Sequence, residues 1–248
     1  MKQIDYSKPI ITAHRGASGL VERENSLEAF EKAIEVDSDN IECDIRRTKD
    51  NIIIINHNPD VEGMIIKDHT LDEINEATLK QGYKLPTLKE ALKLIKGRII
   101  IDIEIKEEGY EEEFLKETLS ILNEDEFYIR SFFDNSIKKI KELNPKIVCT
   151  LLLGLENVKY GIFSRGNEFF PYKRVKRCKC DNVSPHYLLI QLFFCKRMHR
   201  HGVKVFAWTV NDEELMKKEL KKGVDGLVTN YPDLAKKVVN DYLNKKRG

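Results

Sequence analysis

Short apolar runs alternate with helical patterns along the whole chain, and this alternation restricts the fold more than any other feature. The runs cover residues 10–13, 41–45, 99–105, 127–131, 148–153, 182–184, 203–208 and 226–229. Each has the length of a strand rather than of a helix. Strands separated by helices return in parallel through crossovers, so the pattern predicts an α/β protein with a parallel sheet. Eight βα units in 248 residues predict a closed TIM (β/α)8 barrel, a fold that takes ~250 residues. No low-complexity or linker-like stretch divides the chain, so one domain over residues 1–248 is expected.

Several helices carry start and stop signals. Asn25 with Glu28 reads as an N-cap and its capping-box partner, before Leu27, Phe30, Ala33 and Ile34 on one face. Thr87 with Glu90 repeats the device, and Gly97 stops that helix. Asp134 is expected to cap a helix that Pro145 closes. Asn211 with Glu214 opens another, Gly223 ends it, and Pro232 suits the first turn of the last.

One segment breaks the alternation. Residues 41–57 read as a β-hairpin turning on Asp50-Asn51, followed by a small insertion over about 58–86. A two-residue turn there would set Asp44 opposite His57. Glu42, Asp44 and His57 would then share a face, whereas a slip of one residue would send His57 to the other side.

The charge balance, 42 Lys and Arg against 41 Asp and Glu, gives no global attraction to nucleic acid. Asp5 and Lys8 interrupt any signal-like apolar run, and no stretch is long enough to span a membrane. Five scattered cysteines, at 43, 149, 178, 180 and 195, predict reduced thiols and a cytoplasmic protein. Cys178 and Cys180 lack a second pair to complete a zinc site.

Chemistry is expected at the C-terminal ends of the barrel strands. There lie His14-Arg15-Gly16, then Glu42 and Asp44, then Asp102, Glu104 and Lys106 alternating with isoleucines. The isoleucines would face the helices and the charged residues the interior. Glu42, Asp44 and Glu104 fit an oxygen-rich site for Mg²⁺ or Ca²⁺; an ion-pair network with Lys106 and Arg15 fits the same spacing. His14 and His57 beside a cation would suit acid/base cleavage of a phosphate ester.

These residues fall into ordered motifs: His14-Arg15-Gly16, Glu24-Asn25-Ser26, Glu42-Cys43-Asp44 with Thr48-Lys49-Asp50, His57, Leu85-Pro86-Thr87-Leu88, Glu104-Ile105-Lys106, Ser131-Phe132, Trp208-Thr209-Val210-Asn211 and Gly223-Val224-Asp225-Gly226 through Pro232. Together they resemble the glycerophosphodiester phosphodiesterase family over nearly the whole chain. The resemblance implies metal-dependent hydrolysis of glycerophosphodiesters to an alcohol and sn-glycerol 3-phosphate. By matched position it makes Glu42, Asp44 and Glu104 the metal ligands and His14 and His57 the catalytic pair. Arg15 and Lys106 would hold the phosphate, and Trp208 would line the substrate pocket. The chain departs from the family at Asn58 and Asn230, where the family usually has Asp, and at Arg23, where it commonly has Pro. Related activity on lysophospholipids or phosphoinositides, or a barrel that binds without turnover, are the alternatives.

Residues 156–180 read as a long connection at the mouth of the site. It carries Phe163, Phe169, Phe170 and Tyr172 with Lys173, Arg174, Lys176, Arg177 and Lys179. It is either a solvated loop or a contact for an anionic or lipid surface. His186 faces the site region from the end of the sixth strand. His69, His199 and His201 read as ordinary surface residues.

Overall fold

The structure is a computed structural model that describes residues 4–154, 166–191 and 193–247. Strands β1 (Ile10–Ala13) and β2 (Asn40–Arg47) precede β3 (Ile53–Ile55) and the short pair β4 (Asp60–Val61) and β5 (Met64–Ile65). Then come β6 (Ile100–Ile105), β7 (Phe127–Ser131), β8 (Cys149–Leu153), β9 (Asn182–Pro185), β10 (Lys204–Ala207) and β11 (Gly226–Thr229). Strands β1, β2 and β6–β11 pair in parallel in a ring that closes where β1 meets both β2 and β11. This is the expected TIM barrel. The helices are α1 (Leu27–Glu35), α2 (Leu71–Lys80), α3 (Leu88–Ile95), α4 (Glu111–Leu119), α5 (Asp134–Leu143), α6 (Gly166–Phe169), α7 (Tyr172–Cys178), α8 (Phe194–His199), α9 (Glu213–Lys222) and α10 (Pro232–Arg247). Among the described residues none is long and apolar enough to cross a membrane.

Period-two alternation sorts the strand side chains. Ile41, Cys43 and Ile45 of β2 and Ile101, Ile103 and Ile105 of β6 pack outward into the main core against Phe30, Leu92, Phe114 and Ile137 of the helices. Each buried aliphatic side chain there contributes about 1.5–3 kcal/mol. The alternate positions, Glu42, Asp44, Asp102 and Glu104, are buried in the barrel interior. Ile10, Phe206 and Val228 form a separate small apolar cluster.

The helix signals are partly corrected. Thr87 and Glu90 form the expected capping box, and Gly223 caps α9 in left-handed backbone. The cap of α1, however, is Ser26, whose hydroxyl accepts from the Ala29 N–H. Asn25 sits in left-handed backbone (φ 54°) and turns its amide to Asp44 instead. The cap of α9 is Asp212, not Asn211. Asn211 instead accepts from the Asn230 N–H. Asp134 makes no cap and takes Arg174 and Arg177 as partners. In each case a nearby buried or charged donor outcompetes the local capping geometry.

The hairpin register also differs. Ile45 faces Ile55 and Arg47 faces Ile53, and the Asn56 N–H donates to the Asp44 carbonyl. The cross-strand neighbour of Asp44 is therefore Asn56, not His57. The turn spans three residues rather than two. Thr48 N–H donates to the Ile52 carbonyl, Thr48 also bonds Asp50, and Asn51 takes the left-handed position at φ 62°. Beyond β3, β4, β5 and α2 fold over a small cluster of Ile54, Val61, Ile66, Ile74 and Leu85.

The connection between β8 and β9 is not simply a loop, because α6 and α7 occupy its second half. Phe163 and the rest of residues 155–165 lie outside the described residues. The five cysteines are free and buried.

Two consecutive left-handed residues, Arg15 (φ 55°) and Gly16 (φ 79°), turn the chain after β1. A Cβ on Gly16 would lie 2.6 Å from the Ala29 backbone. Gly16→Ala is therefore expected to cost at least ~2 kcal/mol, measured as a lowered midpoint in urea unfolding.

Candidate active site

The carboxylates of Glu42 and Asp44 on β2 and Glu104 on β6 converge, with one oxygen from each lying within 4.8 Å of the others. All three are buried. Three like charges this close, away from water, need counter-charge. Lys106 Nζ lies 2.7 Å from Glu104 and 3.1 Å from Asp44. Arg15 Nε lies 3.2 Å from Asp44, and its backbone N–H donates to Glu42 at 2.9 Å. Asn25 donates to Asp44 from its side-chain amide at 2.8 Å. One layer deeper, Arg130 pairs with Asp102.

The carboxylates respond differently. Burial, reinforced by the neighbouring Asp44 charge, pushes Glu42 well above the usual carboxylate range. Burial also pushes Asp44 upward, but Lys106 and Arg15 outweigh it and hold the group well below that range. The oxygen-only donor set suits a hard divalent cation, and the unrelieved repulsion at Glu42 is what such an ion would remove.

The two histidines flank this cluster. His14 follows β1, with Nδ1 2.7 Å from Asn230 Oδ1 and Nε2 4.0 Å from Glu42. An amide oxygen only accepts, so Nδ1 carries the hydrogen and Nε2 the lone pair. Burial, then the Arg15 charge, pushes the His14 pKa down to about 4. His57 places Nδ1 2.9 Å from Asn58 Oδ1, which sets the same tautomer. Although the register puts Asn56 across from Asp44, β3 has already ended at Ile55. His57 is thus free of strand alternation, and it still reaches the site. Arg46 secures it: Nε and Nη2 donate to the His57 carbonyl at 2.9 and 2.6 Å, while Nη1 binds Glu107.

Two lobes meet at the carboxylates. A cavity of about 100 Å³ is lined by His14, Arg15, Arg130 and Trp208. An open groove of about 430 Å³ is lined by His57, Asn58, Pro59 and Phe133. Glu104, Lys106 and Phe132 line both. Trp208 packs edge-on to Phe132, donates its indole N–H to the Ser184 carbonyl and leaves no room for a Cβ on Gly154. His186 meets the edge of Trp208 from outside and does not line either lobe.

All eight residues singled out from the sequence therefore line or adjoin one site. Asn25, Arg46, Arg130 and Phe132 were missed as site residues. Arg130 was legible, because it alternates inward between Ile129 and Ser131 of β7. Arg46 and Asn25 depend on where loops return and had no local signal. Glu42→Gln removes a buried like charge while keeping the shape that accepts the Arg15 N–H. It is expected to stabilise the chelated protein by about 1 kcal/mol, read as a Tm rise of about 2–4 °C.

The comparisons agree with this geometry. The family model described as glycerophosphoryl diester phosphodiesterase family matches residues 14–234. A glycerophosphodiester phosphodiesterase of Caldanaerobacter subterraneus subsp. tengcongensis is 31% identical, over 91% of this chain and 96% of its own. One of Bacillus subtilis is 30% identical, over 94% and 87% respectively. A crystal structure of a glycerophosphodiester phosphodiesterase from Parabacteroides distasonis superposes with a TM-score of 0.80 at 25% identity, covering 95% of this chain and 98% of that one. With the motifs in order, the barrel closed and the carboxylates converging where the family model matches, the chain belongs to the glycerophosphoryl diester phosphodiesterase family of phosphoric diester hydrolases.

Proposed function

We propose that this protein hydrolyses glycerophosphodiesters to an alcohol and sn-glycerol 3-phosphate, using a divalent cation on Glu42, Asp44 and Glu104 and proton transfer by His14 and His57. The observation that carries the reading is the carboxylate cluster flanked, in two adjoining lobes, by histidines of fixed tautomer. When bound, Mg²⁺ or Ca²⁺ would polarise the phosphoryl group and offset its charge. Arg15 and Lys106 bring further positive charge to the same cavity wall and would hold the phosphoryl oxygens. Displacement at phosphorus needs a nucleophile and a leaving group on opposite sides. One histidine, neutral, takes the proton of the nucleophile at Nε2, and the other, entering the step as imidazolium, gives its Nε2 proton to the departing alcohol. Trp208 bounds the smaller lobe and would pack against the glycerol or head-group carbons. The apolar walls of the open groove, Pro59, Phe132 and Phe133, also favour a bulkier head group or a lysophospholipid as a second substrate class.

The first test is release of glycerol 3-phosphate from glycerophosphocholine, and of acyl-glycerol 3-phosphate from a lysophospholipid, with Mg²⁺, Ca²⁺ or EDTA. EDTA is expected to abolish turnover and either cation to restore it. His14→Ala and His57→Ala should each lower kcat by roughly 10²–10⁴-fold. Full activity in EDTA, or in either variant, would overturn the mechanism.

A second test addresses how His57 is held. Arg46→Met removes the clamp on its carbonyl and should lower kcat ~10-fold or more with little change in KM. In a His57→Ala background the same substitution should have almost no further effect. Additive losses in that cycle would mean Arg46 acts elsewhere.

A further inference from the structure

The outer face of α8 has no role in the site just described. Phe194, Cys195 and Met198 bury one side of this helix in the core. Phe193, Lys196, Arg197 and Arg200 follow the helical repeat along the other side. Phe193 is 80% exposed, one of the least buried large apolar side chains among the described residues. It sits in left-handed backbone at φ 62°, a conformation that a bulky side chain rarely adopts. Phe170 (59% exposed) extends the same patch, because the Arg197 guanidinium lies over its ring at 4.7 Å. Leu188 (55% exposed) lies on the adjoining turn, where the Leu188 carbonyl accepts from Gln191.

The segment that carries these apolar residues is basic. Residues 166–201 hold eight Lys and Arg against only Glu168 and Asp181, in a chain that is balanced overall. Asp134 and Glu168 neutralise Arg174, and Asp134 also takes Arg177. Lys173, Lys176, Lys179, Lys196 and Arg200 are exposed and form no ion pair among the described residues. Exposed aromatic and aliphatic side chains beside long basic ones on one helix face suit a lipid interface. The apolar groups enter the acyl boundary, and the cations reach anionic head groups. The patch also adjoins the site, since α8 follows β9 and the intervening turn packs His186 against Trp208.

We propose that the outer face of α8, with Phe170 and Leu188, docks this protein peripherally onto an anionic phospholipid surface. The test is co-sedimentation of the full chain with vesicles of phosphatidylcholine alone or mixed with equal phosphatidylglycerol. Binding is expected on the anionic vesicles at low salt, little on the neutral ones, and loss at about 0.5 M NaCl. Lys196→Glu with Arg200→Glu should weaken binding at least ~10-fold. Phe193→Ser should weaken it several-fold with the oligomeric state of the wild type unchanged, and both variants should keep the wild-type Tm. The proposal is overturned if the wild type ignores anionic vesicles at low salt, if it binds neutral vesicles as well as anionic ones, or if both variants bind as the wild type does. Self-association through Phe193 in place of vesicle binding overturns it as well.

Discussion

The structure depends on keeping four carboxylates inside a barrel. Glu42, Asp44, Asp102 and Glu104 would each destabilise the fold if buried without compensation. Arg15, Lys106 and Arg130 provide it from the ends of β1 and β6 and from β7. These cations are the reason the two left-handed residues after β1 are worth their strain. That turn brings the Arg15 side chain to Asp44 and its N–H to Glu42. The same pairing leaves Glu42 under-compensated and so keeps the cluster disposed toward a cation.

The scaffold around the histidines uses neutral partners. Asn230 and Asn58 each meet the Nδ1 of a histidine with a side-chain oxygen. An amide oxygen fixes the tautomer as a carboxylate would, but adds no negative charge to a region already rich in it. Arg23 lies 3.7 Å above the Tyr83 ring and so links the loop before α1 to the insertion. That loop also supplies Glu24, which holds Arg15 at 2.7 Å.

Much of the fold was legible because strand and helix periods differ. The isoleucines of residues 99–105 mark one face and the charges the other, and the barrel follows from repetition of such units. The carboxylate cluster was legible for the same reason, as parity in β2 and β6 sends Glu42, Asp44 and Glu104 inward. The caps at Asn25 and Asn211 were not, because each side chain had a better partner far away in sequence. His57 illustrates the limit most clearly. The register that would have placed it is shifted by one residue, yet it lines the groove because the ladder stops at Ile55 and Arg46 draws its carbonyl back.

The sequence by itself determined the barrel and the inward carboxylates and singled out His14 and His57 as candidates, since these rest on local alternation and on motif order. Only the tertiary structure decided how the carboxylates share their counter-charge, which atoms hold each imidazole, and that His14 and His57 occupy different lobes. Those outcomes depend on contacts such as Arg46 with Glu107, His14 with Asn230 and Arg130 with Asp102. Their members are far apart along the chain, and no local pattern encodes the distance that folding closes between them.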